Sequence, residues 1–238
     1  MSFSPISIDK EVDEILVKSP STRFFGIYEN ITPAIDKKKP TLVIIIGPTG
    51  VGKSTFIKSL IENAFHKVTT ATTRPKRRSD EPDEYIWITD KKDPYEPEEV
   101  YIKRLKDRYD FIEFNTFAYN IYGTPRKSLE IALEGGKAVI GIENNGAREI
   151  KKQFEEKANI LIFFVLPDNF DQIKRRIKGS RNDIKERIEI AKKEIADSHT
   201  ITNFYIHNTE LPLYSKPDET PLDHSRQNLV NFLKYLLN

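Results

Sequence analysis

One stretch constrains this chain more than any other: TLVIII followed at once by GPTGVGKS, residues 41–54. Six consecutive apolar or β-branched residues are what a strand covered on both faces requires. The run Gly47-Pro-Thr-Gly-Val-Gly-Lys-Ser54 matches the Walker A pattern in full. Its glycines let the backbone wrap closely around a phosphate with N–H groups pointing inward. A helix beginning near Lys53 presents unpaired N–H groups and a positive dipole end to the anion. Gly47, Gly50, Gly52, Lys53, Ser54 and Thr55 are therefore the expected triphosphate-binding set. Lys53 reaches the terminal phosphates and Ser54 joins the coordination shell of Mg²⁺. A bare Gly-rich turn is the alternative, but strand, loop and helix agree independently here.

The rest of the pattern specifies an α/β fold. Ser54–Phe65 reads as a helix. Lys137–Ile142, Asn159–Leu166 and Phe204–His207 read as buried strands. Helices are expected at about 146–157, 169–178 and 182–198, with a closing helix over 225–237. Such alternation predicts a parallel sheet flanked by helices on both faces. Residues 68–136 break the rhythm, with a basic loop after the short run Lys67–Thr70, then YIWIT and FIEFNTF alternating as antiparallel strands do. TPRKSLEIALEGG reads as a helix ending at glycine. The segment between Ile88 and Phe111 reads as a long loop. The expected organisation is an extension over 1–40, a core over 41–67 and 137–238, and an insertion over 68–136. Within the extension, Ile8–Val17 is a candidate amphipathic helix, either packed on the body or a partner-binding arm. ITPAIDKKKP is a candidate linker.

Totals narrow the function classes. A net charge of +2 gives no basic excess of the kind nucleic acid or an anionic membrane demands. With no cysteine, disulfides, thiolate metal sites and a cysteine nucleophile are excluded. The longest apolar runs are too short to span a bilayer, and no secretory signal is legible at the start. The expectation is a soluble cytoplasmic protein.

The remaining motifs carry a resemblance. TTRPKRR, DEYIW, DFIEF, IYGT, GIENNG and RRIKGSRNDIKER follow the Walker loop in that order. The chain from Thr41 to about Asn208 resembles the guanylate kinases, which are P-loop nucleoside monophosphate kinases. The resemblance implies a parallel P-loop core, an inserted mixed α/β acceptor-binding subdomain, and an Arg-rich helical lid over about 176–190. It implies transfer of the γ-phosphoryl group of ATP, with Mg²⁺, to GMP or dGMP. Arg74, Arg77, Tyr85 and Tyr122 are the implied clamp on the GMP phosphate, with Arg78 as the alternative to Arg77. Thr70, Glu113, Thr124 and Glu143 are the implied guanine-recognition set. Arg176 and Arg187, with Arg181 as a further candidate, are the implied lid arginines, and Asn208 falls near the adenine-side loop.

Guanine chemistry suits the assignment. A carboxylate such as Glu113 accepts from the ring N–H and the exocyclic amine together, where adenine would oppose a lone pair to it. A site of this kind rejects the wrong base by up to about 10⁴ to 10⁵-fold. Read alone, Glu113 is simply the polar position of an alternating strand. One residue departs from the pattern: Gly141 stands where the family usually carries an acid near the metal. Three rivals remain. A non-catalytic guanylate-kinase-like binding module disagrees with the intact Lys53 and Ser54. A GTPase switch lacks an Asn-Lys-x-Asp segment. A kinase of the same fold could act on another small phosphorylated acceptor.

Overall fold

The Walker strand lies at the centre of the molecule. In the computed structural model, residues 22–24, 27–77, 84–117, 119–167, 170–177, 181–208 and 221–237 are described. The candidate helix Ile8–Val17 and Arg78 lie outside them. Strand β3 (Thr41–Ile46) is buried along its whole length. Leu42, Ile44 and Ile46 point into one apolar layer, Val43 and Ile45 into the other. That division is why the run is continuously apolar rather than alternating.

The large sheet has seven strands in the order β1-β2-β11-β10-β3-β9-β4. These are β1 (Thr22–Phe24), β2 (Ile27–Glu29), β3, β4 (His66–Lys67), β9 (Lys137–Gly141), β10 (Asn159–Pro167) and β11 (Phe204–Asn208). β10 runs parallel to β3 and β11, and β9 runs parallel to β3 and β4. Helices α1 (Lys53–Glu62) and α7 (Pro221–Leu237) cover one face through Phe56, Leu60, Leu229, Phe232 and Leu233. Helices α3 (Arg126–Glu134), α4 (Asn144–Phe154), α5 (Phe170–Arg176) and α6 (Arg181–Ser198) contribute to the other.

The small sheet is built from β5 (Ala71–Thr72), β6 (Ile86–Trp87), β7 (Phe111–Phe117) and β8 (Asn120–Pro125), in the order β6-β5-β8-β7. It has its own apolar cluster around Ala71, Ile88, Leu105 and Ile121. Because the core strands run parallel, Gly47 after β3, Glu143 after β9 and Asn208 at the end of β11 all emerge at one edge. Ligands of open α/β sheets bind at that edge.

Three local expectations are corrected. The segment between Ile88 and Phe111 is not a long loop, for it contains α2 (Glu98–Tyr109). Glu98 and Glu99 in its first turn and Lys106 and Arg108 in its last complement the helix dipole. FIEFNTF forms an antiparallel strand as its alternation predicts, but YIWIT does not. β6 runs parallel to β5, and the antiparallel partner of β7 is β8. Of the run Lys67–Thr70, Lys67 ends β4, a two-residue exposed strand at the edge of the large sheet. Finally, part of the first forty residues belongs to the sheet. β2 pairs antiparallel with β11, and β1 pairs with β2. Asn159 pins the candidate linker, donating to the carbonyls of Asp36 and Lys39 at 2.8 and 3.2 Å.

Candidate active site

The phosphate loop takes the shape its glycines permit. Gly47 has φ +135°, and a Cβ there would lie 2.7 Å from the Val165 carbonyl oxygen. Gly52 has φ +104°, and a Cβ there would lie 2.7 Å from Asn208 Nδ2. No other residue type serves at either point. Gly50 is the third positive-φ glycine of the loop. Helix α1 then opens at Lys53 with no side-chain cap, leaving its first N–H groups for an anion. Lys53 Nζ folds back to the Gly47 and Pro48 carbonyls, the latter at 3.1 Å. Burial holds its ammonium below the usual lysine range, with Glu194 and Glu143 pulling the other way. Thr55 donates its backbone N–H to the Gly52 carbonyl at 3.1 Å. Among the described residues, Ser54 is exposed and its hydroxyl has no protein partner.

A cleft of about 690 Å³ opens between this loop and the small sheet. Thr49 and Lys53 line one side, Thr70, Tyr85, Glu113 and Tyr122 the other, with Gly141, Glu143, Gly146 and Glu194 at the junction. Glu113 and Thr124 face each other across the β7–β8 ladder. The Thr124 hydroxyl donates to Glu113 Oε1 at 2.5 Å. Burial raises the Glu113 carboxyl, the Thr124 hydrogen bond opposes the rise, and the charge of Glu143 adds to it. Helix α4 brings Gly146 against the same carboxylate, where a Cβ would sit 3.0 Å from Glu113 Oε2.

Arg74 is nearly fully buried, its guanidinium 5.4 Å from the Tyr85 ring and 5.2 Å from the Trp87 ring. Tyr85 lies edge-on to Tyr122 at 6.3 Å. Burial raises the Tyr85 phenol, and Arg74 opposes that through charge and a hydrogen bond. Together these groups make a cationic, hydroxyl-rich wall suited to a phosphate monoester.

The guanylate kinase family matches the chain over residues 39–211. The chain is 35% identical to a guanylate kinase of Nostoc sp. over 162 residues, covering 65% of this chain and 75% of that protein. It is 30% identical to one of Clostridioides difficile over 208 residues, covering 84% and 95%. The chain belongs to the guanylate kinase family. A solved guanylate kinase structure, from Anaplasma phagocytophilum, has the same fold, with a TM-score of 0.57 at 19% identity over 84% of this chain and 87% of that one.

Most of the anticipated acceptor-side residues converge on the cleft. Thr70, Tyr85, Glu113, Tyr122 and Glu143 share the cleft with Lys53. Thr124 reaches it through Glu113, and Arg74 through Tyr85. Arg176, the last residue of α5, donates to the Val51 carbonyl at 3.3 Å, so the end of α5 touches the phosphate loop. Arg187 and Arg77 are not among the cleft-lining residues. Arg187 lies seven residues before Glu194 on α6, hence on the same face; Arg77 is exposed. Asn208 is buried under the loop and donates to the Val51 carbonyl at 2.6 Å.

Among the cleft residues that were not anticipated are Asn115, Asn145, Gly146 as a contact of Glu113, and Glu194. Glu194 reaches it because α4 and α6 are tied together. Asn144 Nδ2 donates to the Glu194 carbonyl at 3.0 Å, and Arg148 grips both oxygens of Asp197 at 2.8 Å. Burial pushes the Glu194 carboxyl up to about 7, with Lys53 opposing and Glu143 adding. Its spacing from Arg187 was the one signal in the sequence.

Proposed function

We propose that the chain transfers the γ-phosphoryl group of ATP to GMP or dGMP, giving ADP and GDP or dGDP. One observation carries the reading: Lys53 of the phosphate loop and Glu113 and Tyr122 of the small sheet line a single cleft. Two anionic nucleotides fit face to face there, one on the glycine loop and the other against β7 and β8. In this reading residues 41–67 and 137–238 are the core, 68–136 the acceptor-binding insertion, and about 176–190 the lid. The proposed compartment is the cytoplasm.

The attacking atom is a GMP phosphate oxygen, ionised at neutral pH, so no general base is required. It forms a bond to the γ-phosphorus as the bond to the bridging oxygen of ADP breaks. The chemistry therefore depends on alignment and on neutralising charge. Lys53 turns from the Gly47 and Pro48 carbonyls to the phosphates. Arg176 leaves the loop carbonyls, and Arg187 closes from the lid. A transition-state arginine in such reactions is worth about 10³ to 10⁵ in rate. Arg74, Arg77, Tyr85 and Tyr122 hold the acceptor phosphate, while Glu113, Thr70, Thr124 and Glu143 read its base.

The donor set suits Mg²⁺. Among the described residues, the Ser54 hydroxyl is unpartnered, Glu143 and Glu194 share the cleft, and no cluster of three or more His, Cys, Asp or Glu residues forms a cage. Mg²⁺ commonly binds in this way, through phosphates, waters and one or two protein oxygens. The ion would polarise the transferring phosphoryl group.

The test is ADP release with GMP, dGMP, AMP, CMP or UMP as acceptor, repeated for Lys53→Ala. Guanine acceptors should dominate and Lys53→Ala should be silent. Faster turnover of another acceptor would overturn the guanine assignment. Equal signals from both proteins would leave a binding module.

A further inference from the structure

One polar contact crosses the cleft from wall to wall. Asn115 Nδ2 donates to Glu143 Oε2. The donor lies on β7 of the small sheet. The acceptor lies between β9 and α4 of the large one. Strand register explains how Asn115 comes to be there. Residues two apart in a strand share a face, so Asn115 stands beside Glu113. Across the ladder Glu113 opposes Thr124, and Asn115 opposes Tyr122. Glu143 precedes α4 without capping it through its side chain, which leaves its carboxylate available to reach across.

We infer that Asn115 is a positioning residue for acceptor specificity: it pins Glu143 so that the second carboxylate oxygen meets the exocyclic amine of the purine. This rests on reading the cleft as the GMP site. The physical case has two parts. A glutamate side chain loses rotamer freedom when it is fixed on a ligand. Held by Asn115 beforehand, Glu143 has already lost it. Furthermore, Glu143 and Glu113 are like charges across a narrow gap, and the charge of Glu143 raises the Glu113 carboxyl. The amide of Asn115 directs a donor at one of them without adding charge. A carboxylate so fixed favours a base carrying the 2-amino group, guanine, over hypoxanthine, which lacks it.

Steady-state kinetics with GMP, IMP and ATP test this on the full chain. Asn115 is exposed, so its variants should fold. Asn115→Ala should raise the KM for GMP about tenfold, the scale of one hydrogen bond to a charged group. The KM for ATP and kcat should hold, and the GMP-over-IMP preference should fall by the same factor. Asn115→Gln, with the same amide on a longer stem, should recover part of the preference. Asn115→Asp, which sets a carboxylate against Glu143, should lose more than alanine does. In a Glu143→Gln background, Asn115→Ala should cost less than about twofold, because the residue acts through Glu143. GMP turnover with an unchanged GMP-to-IMP ratio in Asn115→Ala overturns this inference alone, as does a full effect in the Glu143→Gln background. Failure of the unaltered protein to use GMP overturns the acceptor reading, and this inference with it.

Discussion

Replacing Glu194 with glutamine should make the unliganded protein more stable at pH 8 and leave it nearly unchanged near pH 4. The folded carboxyl is raised from 4.5 to about 7, chiefly by burial. In the unfolded chain it loses its proton near the lower value. Between the two, the folded state holds more protons than the unfolded one, so stability falls as pH rises. Below that window both states are protonated, above it both are ionised, and the slope vanishes in each. A shift of that size corresponds to about 3 kcal/mol. Glutamine keeps the shape and carries no charge, so it removes the penalty. The attraction to Lys53 is already contained in that net shift, where it opposes burial. About 3 kcal/mol is therefore the order of the gain expected at pH 8. Lys53, held below its ordinary value, contributes with the opposite sign: its cost lies on the acid side and fades as pH rises. Urea unfolding of both proteins at half-unit steps from pH 4 to 8 separates the two. The stability difference should open between pH 4.5 and 7. Parallel curves across that range would show that Glu194 carries no buried charge, and the account of the cleft's electrostatics would fail.

Further expectations concern the acceptor side and the loop. Glu113→Gln should raise the KM for GMP by about 10- to 100-fold and leave the KM for ATP alone, since glutamine cannot accept from both guanine donors at once; equal KM values would remove Glu113 as the base reader. Gly146→Ala places a Cβ 3.0 Å from Glu113 Oε2. It should weaken GMP binding while a thermal melt shows no loss, because alanine favours a helix by about 1 kcal/mol over glycine. A melt lowered in step with affinity would mean general misfolding instead. Gly47→Ala forces a Cβ within 2.7 Å of the Val165 carbonyl at a positive φ. It should cost both ATP affinity and several degrees of melting temperature, checked by titration and calorimetry. Trp87, the single tryptophan, lies 5.2 Å from the Arg74 guanidinium. GMP should therefore change its fluorescence, and Arg74→Ala should abolish that response.

The elements readable in advance were those whose signal is local. β3, β9, β10 and β11 are buried on both faces, so each is a continuous apolar run bounded by polar residues. Helix α3 ends where Gly136 takes a positive φ, a conformation its sequence announces. Helix α2 was missed because its mostly polar sequence follows the Pro- and acid-rich DPYEPEE, and few of its residues enter a core. β8, written NIYGTP, is a poor strand by composition and exists because β5 and β7 flank it. The strands of the first forty residues depend on β11, far along the chain.

Taken alone, the amino-acid sequence determined the phosphate loop, the parallel α/β core and the order of the acceptor-side motifs. Each of these is written in neighbouring residues, as glycine spacing, apolar periodicity or a short polar signature. Only the tertiary structure decided which groups share the cleft. Glu194 arrives from α6 because Arg148 and Asn144 tie α6 to α4. Asn115 meets Glu143 because two sheets stand face to face. Burial and charge at these places depend on distances between remote segments, and a linear pattern does not encode those distances until packing sets them.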